Sequence, residues 1–168
     1  MNKSAMVVIT KADDESRVIR FAGSTGDMDR DGEVIEPRGW DIKNYKKNPV
    51  FLWGHSHSQP PIGRTIKIEK TDSALVFDVE FPTEDIYPFA DTIFKLYKNN
   101  YLNAVSVGFI PKEWKDGNPD DKTQPRRRFL KQELLELSGC SIQSNYNAVD
   151  GAGGGLHQRE RGSGGKEF

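Results

Sequence analysis

From residue 74 to residue 81 the chain reads ALVFDVEF, with Leu75, Phe77, Val79 and Phe81 on one face and Asp78 and Glu80 on the other. A period of two marks a half-buried antiparallel strand, because successive side chains leave the pleat on opposite sides. PVFLWGH at 49–55 and IGRTIKIEK at 62–70 are strand-like too, and the three runs together predict a meander. Nearer the N-terminus, AMVVIT at 5–10 and RVIRFAGST at 17–25 are β-branched runs split by the charged stretch KADDES, which predicts a hairpin. Between these groups GDMDRDGEVIEPRGWDIKNYKKN is dense in Gly, Asp, Asn and Pro. It reads as an irregular surface excursion with at most a short strand at Glu33 to Ile35.

The period changes once. In TEDIYPFADTIFKLYKNN, residues 83–100, Ile86, Phe89, Ala90, Ile93, Phe94 and Tyr97 follow the i, i+3, i+4, i+7 spacing of one helical face. Thr83 is a candidate N-cap, and Pro88 fits best if the regular helix starts near it, where a missing N–H is harmless. The aromatic stripe reads as core packing rather than a cofactor box. Two further strands are predicted, NAVSVGFIP at 103–111 and RFLKQELLELSGCSI at 128–142; the polar KEWKDGNPDDKTQPRR between them is expected to be irregular at its centre. From Asp150 onward Gly and charge dominate without periodicity, so the sequence divides into a domain over 1–149 and a flexible tail over 150–168.

Length and charge narrow the function. A chain of 168 residues supports one hydrophobic core. With 24 basic against 25 acidic residues there is no bulk attraction to nucleic acid or to an anionic membrane, and neither is expected as a partner. The single cysteine, Cys140, excludes an internal disulfide framework and a Cys-based zinc knuckle. The N-terminus turns charged too early for a signal peptide, and no run approaches the roughly 18 apolar residues of a membrane span. A soluble, cytosolic protein is expected.

Three strand positions carry candidate chemistry. His55 and His57 stand at the exit of VFLWG; if the strand ran on through Ser56, both rings would face one side and could share an ion. Two ligands are not a site, and only a distant carboxylate could complete it; taken alone, the pair reads more readily as exposed strand-end residues. In NAVSVGFIP, Ser106 shares a face with Ala104, Gly108 and Ile110, away from Val105, Val107 and Phe109. Alone it is a serine satisfying its hydroxyl within a sheet. In ELLELS, parity sends Leu135 and Leu137 one way and Glu136 and Ser138 the other, and a carboxylate there is ordinarily a solvated face. Jointly, the histidine, serine and glutamate are the base, nucleophile and orienting acid needed to activate a weakly nucleophilic hydroxyl.

The blocks DRDGEVIEPRGWDIKNYKKNPVFLWGHSHSQPPIGR, YLNAVSVGFIP, and ELLELS followed by SNYNA resemble the successive blocks of the HK97-type prohead proteases of tailed bacteriophages, in order and over about residues 20–148. The resemblance implies a serine peptidase related in fold to the herpesvirus assemblins. With the strand pattern, this gives a β-rich α+β fold: a closed or partly open antiparallel β-barrel with one principal flanking helix at about residues 86–99. Position by position, it implies His55 as base, Ser106 as nucleophile and Glu136 as third member. Glu133 competes with Glu136, although parity puts it on the leucine face, and His57 is the alternative third member because the assemblins use a second histidine there. The implied chemistry is acyl transfer needing neither cofactor nor metal. Its implied substrates are scaffold or major capsid protein segments and the protease itself, inside the assembling procapsid in the host cytoplasm; a homo-oligomer is left open. The rival readings are a noncatalytic capsid-assembly module that keeps the fold and a His-based metal-dependent hydrolase. After the last block the family's apolar run is replaced by SGCSIQSNYNAVDGAGGG, a poorer strand.

Overall fold

The computed structural model describes residues 2–6, 12–13, 16–118, 120–121 and 123–142. The strands in chain order are β1 (Asn2–Met6), β2 (Ala12–Asp13), β3 (Val18–Thr25), β4 (Glu33–Ile35), β5 (Trp40–Asp41), β6 (Val50–Trp53), β7 (Gly63–Lys70) and β8 (Ala74–Glu80). The helix α1 (Pro88–Lys98) and strands β9 (Ala104–Asp116) and β10 (Arg127–Cys140) follow, and single 3-10 turns lie at Pro37–Gly39 and Tyr45–Lys47. They form one mixed sheet in the order β1-β9-β10-β6-β7-β8-β3-β2, curled so that β1 comes up against β3 in a nearly closed barrel. Along one edge β10 pairs antiparallel with β9; along the other it pairs parallel with β4, β5 and β6 in turn. The barrel is therefore not wholly antiparallel.

The barrel interior is aromatic. Phe21 lies 5.6 Å from Phe51 and 5.1 Å from Tyr97, and Phe81 packs edge-on to Phe51 at 5.9 Å. The helix closes this core with Ala90, Ile93, Phe94 and Tyr97, the predicted stripe, and Pro88 occupies its first turn as expected. Its N-cap is Tyr87 rather than Thr83, and Ile86 falls before the helix, 72 % exposed. The Thr83 carbonyl instead accepts from the N–H groups of Ile86 and Tyr87, forming a separate turn. Arg17 fixes the helix to the barrel: its guanidinium donates to the Pro82 carbonyl at 2.6 Å and to Asp91 at 2.7 Å, and lies 4.3 Å over the Phe94 ring. The Tyr97 hydroxyl donates to the Ala104 carbonyl at 2.6 Å, tying the helix to the start of β9.

The β6-β7-β8 meander and the short strand Glu33–Ile35 form as the sequence predicts. The N-terminal hairpin does not. β1 pairs with β9, while β3 takes the two-residue β2 from inside the charged stretch; residues 7–10 of the expected first strand lie outside the described residues. The excursion after β3 is no surface loop either, because Val34, Ile35, Trp40 and Tyr45 are buried where the chain runs along β10. The expected irregular stretch after Pro111 is shortened from both ends: β9 runs on to Asp116 and β10 begins at Arg127, with Arg127 bound to Asp116 at 2.6 Å across the pair. At the other end β10 holds through Cys140, buried from Glu136 onward, despite its poor strand composition. The predicted tail, 150–168, lies outside the described residues.

Candidate active site

β6 ends at Trp53 and the chain turns at once. Gly54 and His55 have φ of +58° and +62°, and the Ser56 N–H donates to the Trp53 carbonyl at 3.0 Å, the pattern of a type I′ turn. Glycine adopts this conformation freely, whereas a residue with a Cβ gives up about 1–2 kcal/mol there. His55 is held nonetheless. The Gly54 N–H donates to the Gly139 carbonyl at 2.8 Å, so the parallel pairing of β6 with β10 continues into the turn and carries His55 over β10.

There His55 Nδ1 is hydrogen-bonded to Glu136 Oε1. A β-bulge between Leu134 and Glu136 resets the face of β10: Leu135 is pushed out to 48 % exposure, against the parity reading, while Glu136 turns in and is 4 % exposed. The Ser138 hydroxyl donates to the other carboxylate oxygen, Oε2, at 2.5 Å. Across the strand pair, Gly108 stands opposite Glu136, and a Cβ on it would lie 2.6 Å from both Cγ and Oε1 of the glutamate. The space beside the glycine of the SVGF block is thus filled by the carboxylate. Burial alone pushes the Glu136 carboxyl up, but the hydrogen bonds from His55 and Ser138 and the charges of His55 and His57 outweigh it and hold it below the ordinary carboxylate value. Burial likewise raises the Tyr45 phenol, with the Glu136 charge adding to the effect.

Ser106 is fully buried and stands directly opposite Ser138, two register positions from the Gly108–Glu136 pair. Because β9 alternates regularly from Ala104 to Gly108, Ser106 and Gly108 share the face on which Glu136 lies. Diagonal neighbours on one face of such a strand pair lie about 7–8 Å apart, which places Ser106 beside the carboxylate that holds His55. The other candidates do not join it by hydrogen bonding. His57 is exposed, two residues past the turn, and reaches Glu136 only through its charge. Glu133 is engaged elsewhere: its carboxylate accepts from Asn44 and Lys112, each at 2.8 Å. The strand parity that would aim His55 and His57 at a common ion also fails, because the strand stops at Trp53. Among the described residues no three His, Cys, Asp or Glu side chains gather in a metal-binding group.

Two contributors to the site escape a reading by residue type. Ser138 had a visible signal, since Glu-x-Ser on a strand puts both side chains on one face. The Gly54-His55 turn had a weaker one, a glycine before the histidine at a strand end. An apolar groove of about 720 Å³, lined by Pro60, Pro61, Phe81, Pro82, Ile86 and Tyr87, opens at the far end of the histidine loop and includes none of the three candidates. No described helix is long and apolar enough to cross a membrane.

Over residues 9–151, which include His55, Ser106 and Glu136, the chain matches the family model described as caudovirus prohead serine protease. It is similar to the prohead protease of Escherichia phage T5, 36 % identical over 151 residues that make up 84 % of this chain and 67 % of that protein. It is also similar to the capsid polyprotein of Pseudomonas phage PAJU2, 29 % identical over 153 residues, 88 % of this chain but 22 % of that protein. No solved structure matches it significantly.

Proposed function

We propose, for a chain that belongs to the caudovirus prohead serine protease family, that Ser106 is the nucleophile, His55 the general base and Glu136 the group that orients the imidazole. Membership makes the chain a serine peptidase of phage capsid maturation. The observation that carries the residue assignment is the contact of His55 Nδ1 with a buried carboxylate on the strand face that bears Ser106. A carboxylate held below its ordinary value stays ionised at neutral pH and accepts from Nδ1–H, which leaves Nε2 as the basic nitrogen. Ser106 Oγ attacks the scissile carbonyl as Nε2 takes its proton. The imidazolium is stabilised by Glu136 and then protonates the leaving amine. Water repeats the sequence on the acyl-enzyme, with the proton returning to Ser106.

The substrates on this reading are capsid or scaffold protein segments and the protease itself, cleaved inside the procapsid in the host cytoplasm. The similarity of nearly the whole chain to a fifth of a protein named capsid polyprotein supports capsid segments as targets. A fluorophosphonate probe tests the assignment. The protein should label at Ser106, and Ser106→Ala should lose both labelling and cleavage of a coexpressed capsid protein, since loss of a triad member removes several orders of magnitude in rate. His55→Ala should be severe, and His57→Ala and Glu133→Gln mild. Undiminished cleavage by Ser106→Ala overturns the nucleophile; a crippled His57→Ala beside a normal Glu136→Gln makes His57 the third member. No labelling of the parent protein would favour a noncatalytic assembly module.

A further inference from the structure

We propose that Ser138 is a positioning residue for the reaction, its hydroxyl locking the Glu136 carboxylate so that the opposite oxygen is presented to His55. The proposal rests on the triad reading above. Ser138 is fully buried near the C-terminal end of β10, flanked by Ser106 on one side and Leu52 on the other, so its hydroxyl is shut off from bulk solvent. It donates to Glu136 Oε2, two residues away on the same face. His55 occupies Oε1, and Gly108 leaves the carboxylate just enough room. A carboxyl group turns freely about its terminal torsion unless both oxygens are engaged. Here each oxygen has one donor, and the pair fixes the plane of the group.

The role differs from mere packing in what it does to titration. A carboxylate that loses its Ser138 donor is a hungrier acceptor toward His55, stabilises the imidazolium more, and moves the acid limb of the rate profile to higher pH. The experiment compares Ser138→Ala, Ser138→Thr and Ser138→Val with the parent on one peptide substrate and with the fluorophosphonate probe. Thr and Val are alike in shape and differ in the hydroxyl, so any overpacking at this buried position cancels between them. Ser138→Ala should lower kcat about 10- to 100-fold, the usual range for a lost hydrogen bond to a charged group, with KM nearly unchanged and the acid limb raised. It should still label at Ser106. Ser138→Thr should recover most of the rate and the original limb, and Ser138→Val should not. Equal behaviour of Thr and Val, or an unmoved limb in Ser138→Ala, overturns the proposal and leaves the triad standing. Labelling lost in Ser138→Ala but kept in Ser106→Ala would make Ser138 the nucleophile and overturn both readings, as would a parent protein that takes no probe.

Discussion

Gly108→Ala is the sharpest test of how the site is built, because two effects of opposite sign meet at one atom. Gly108 lies in a regular stretch of β9, and alanine at such a position is favoured over glycine by about 0.5–1 kcal/mol through chain entropy. Against this, the new Cβ would sit 2.6 Å from Glu136 Cγ and Oε1, closer than Cβ atoms approach anything. Glu136 is 4 % exposed, anchored by His55 and Ser138, and cannot swing into solvent. Overpacking of that kind costs about 1–3 kcal/mol, so the balance runs from roughly zero to a net destabilisation of about 2.5 kcal/mol. The effect on rate should be larger. Relief of the clash shifts the very oxygen that holds the imidazole, and a displacement near 1 Å in a catalytic group can lower turnover about 10²-fold. Urea unfolding gives the stability and the labelling rate per folded molecule gives the activity. Gly63→Ala is the control: its Cβ would meet the Glu80 carbonyl and Val79 Cγ1 at 2.8 Å, a comparable clash that touches neither Glu136 nor His55. It should lose stability without losing labelling rate. A Gly108→Ala protein as stable and as reactive as the parent would refute the packing of Glu136 against Gly108, and an equal loss of rate in Gly63→Ala would refute its link to the chemistry.

The carboxyl of Glu136 sets an acid dependence of known sign. Its folded value lies below the ordinary one of about 4.3, so its stabilising contribution is complete above that pH and lost as pH falls through the folded value. The stability difference between the parent and Glu136→Gln, measured by urea titration, should therefore narrow from pH 7 toward pH 3; a difference that widens reverses the assignment. Gly54→Ala isolates the strain of the histidine turn. Its Cβ would touch nothing within 4 Å, yet φ is +58°, so a loss of about 1–2 kcal/mol should come from the backbone alone, with Gly54→Asn losing less. Alanine and glycine of equal stability there would mean the turn is not held left-handed in solution.

The sequence made the barrel's strands legible where alternation is local, and misplaced them where pairing is distant. The β6-β7-β8 meander follows from three neighbouring runs joined by short turns. The N-terminal run, in contrast, is β-branched enough to be a strand but carries nothing that selects β9 over β3 as its partner. The stretch after β3 misleads for a different reason. Its Gly, Asp and Pro residues do make turns, yet Val34, Ile35, Trp40 and Tyr45 are spaced among them to reach the core each time the chain touches β10. Composition reports the turns and hides the parallel pairings.

At the site, the same parity argument is right for one pair and wrong for its neighbour, and the bulge explains both. Glu136 and Ser138 share a face because β10 is regular from Glu136 onward, so the Glu-x-Ser spacing is a reliable signal there. Leu135 and Leu137 do not, because one extra residue between Leu134 and Glu136 breaks the count. Without that bulge, even residues of β10 would keep one face from Leu134 through Ser138, and Leu134, 1 % exposed in the core, would have to leave it for Glu136 to reach His55. The irregularity lets one strand supply Leu134 and Leu137 to the core and Glu136 and Ser138 to the site. Period-two reading assumes its absence, which is why the sequence indicated the residues of the site more readily than the backbone that presents them.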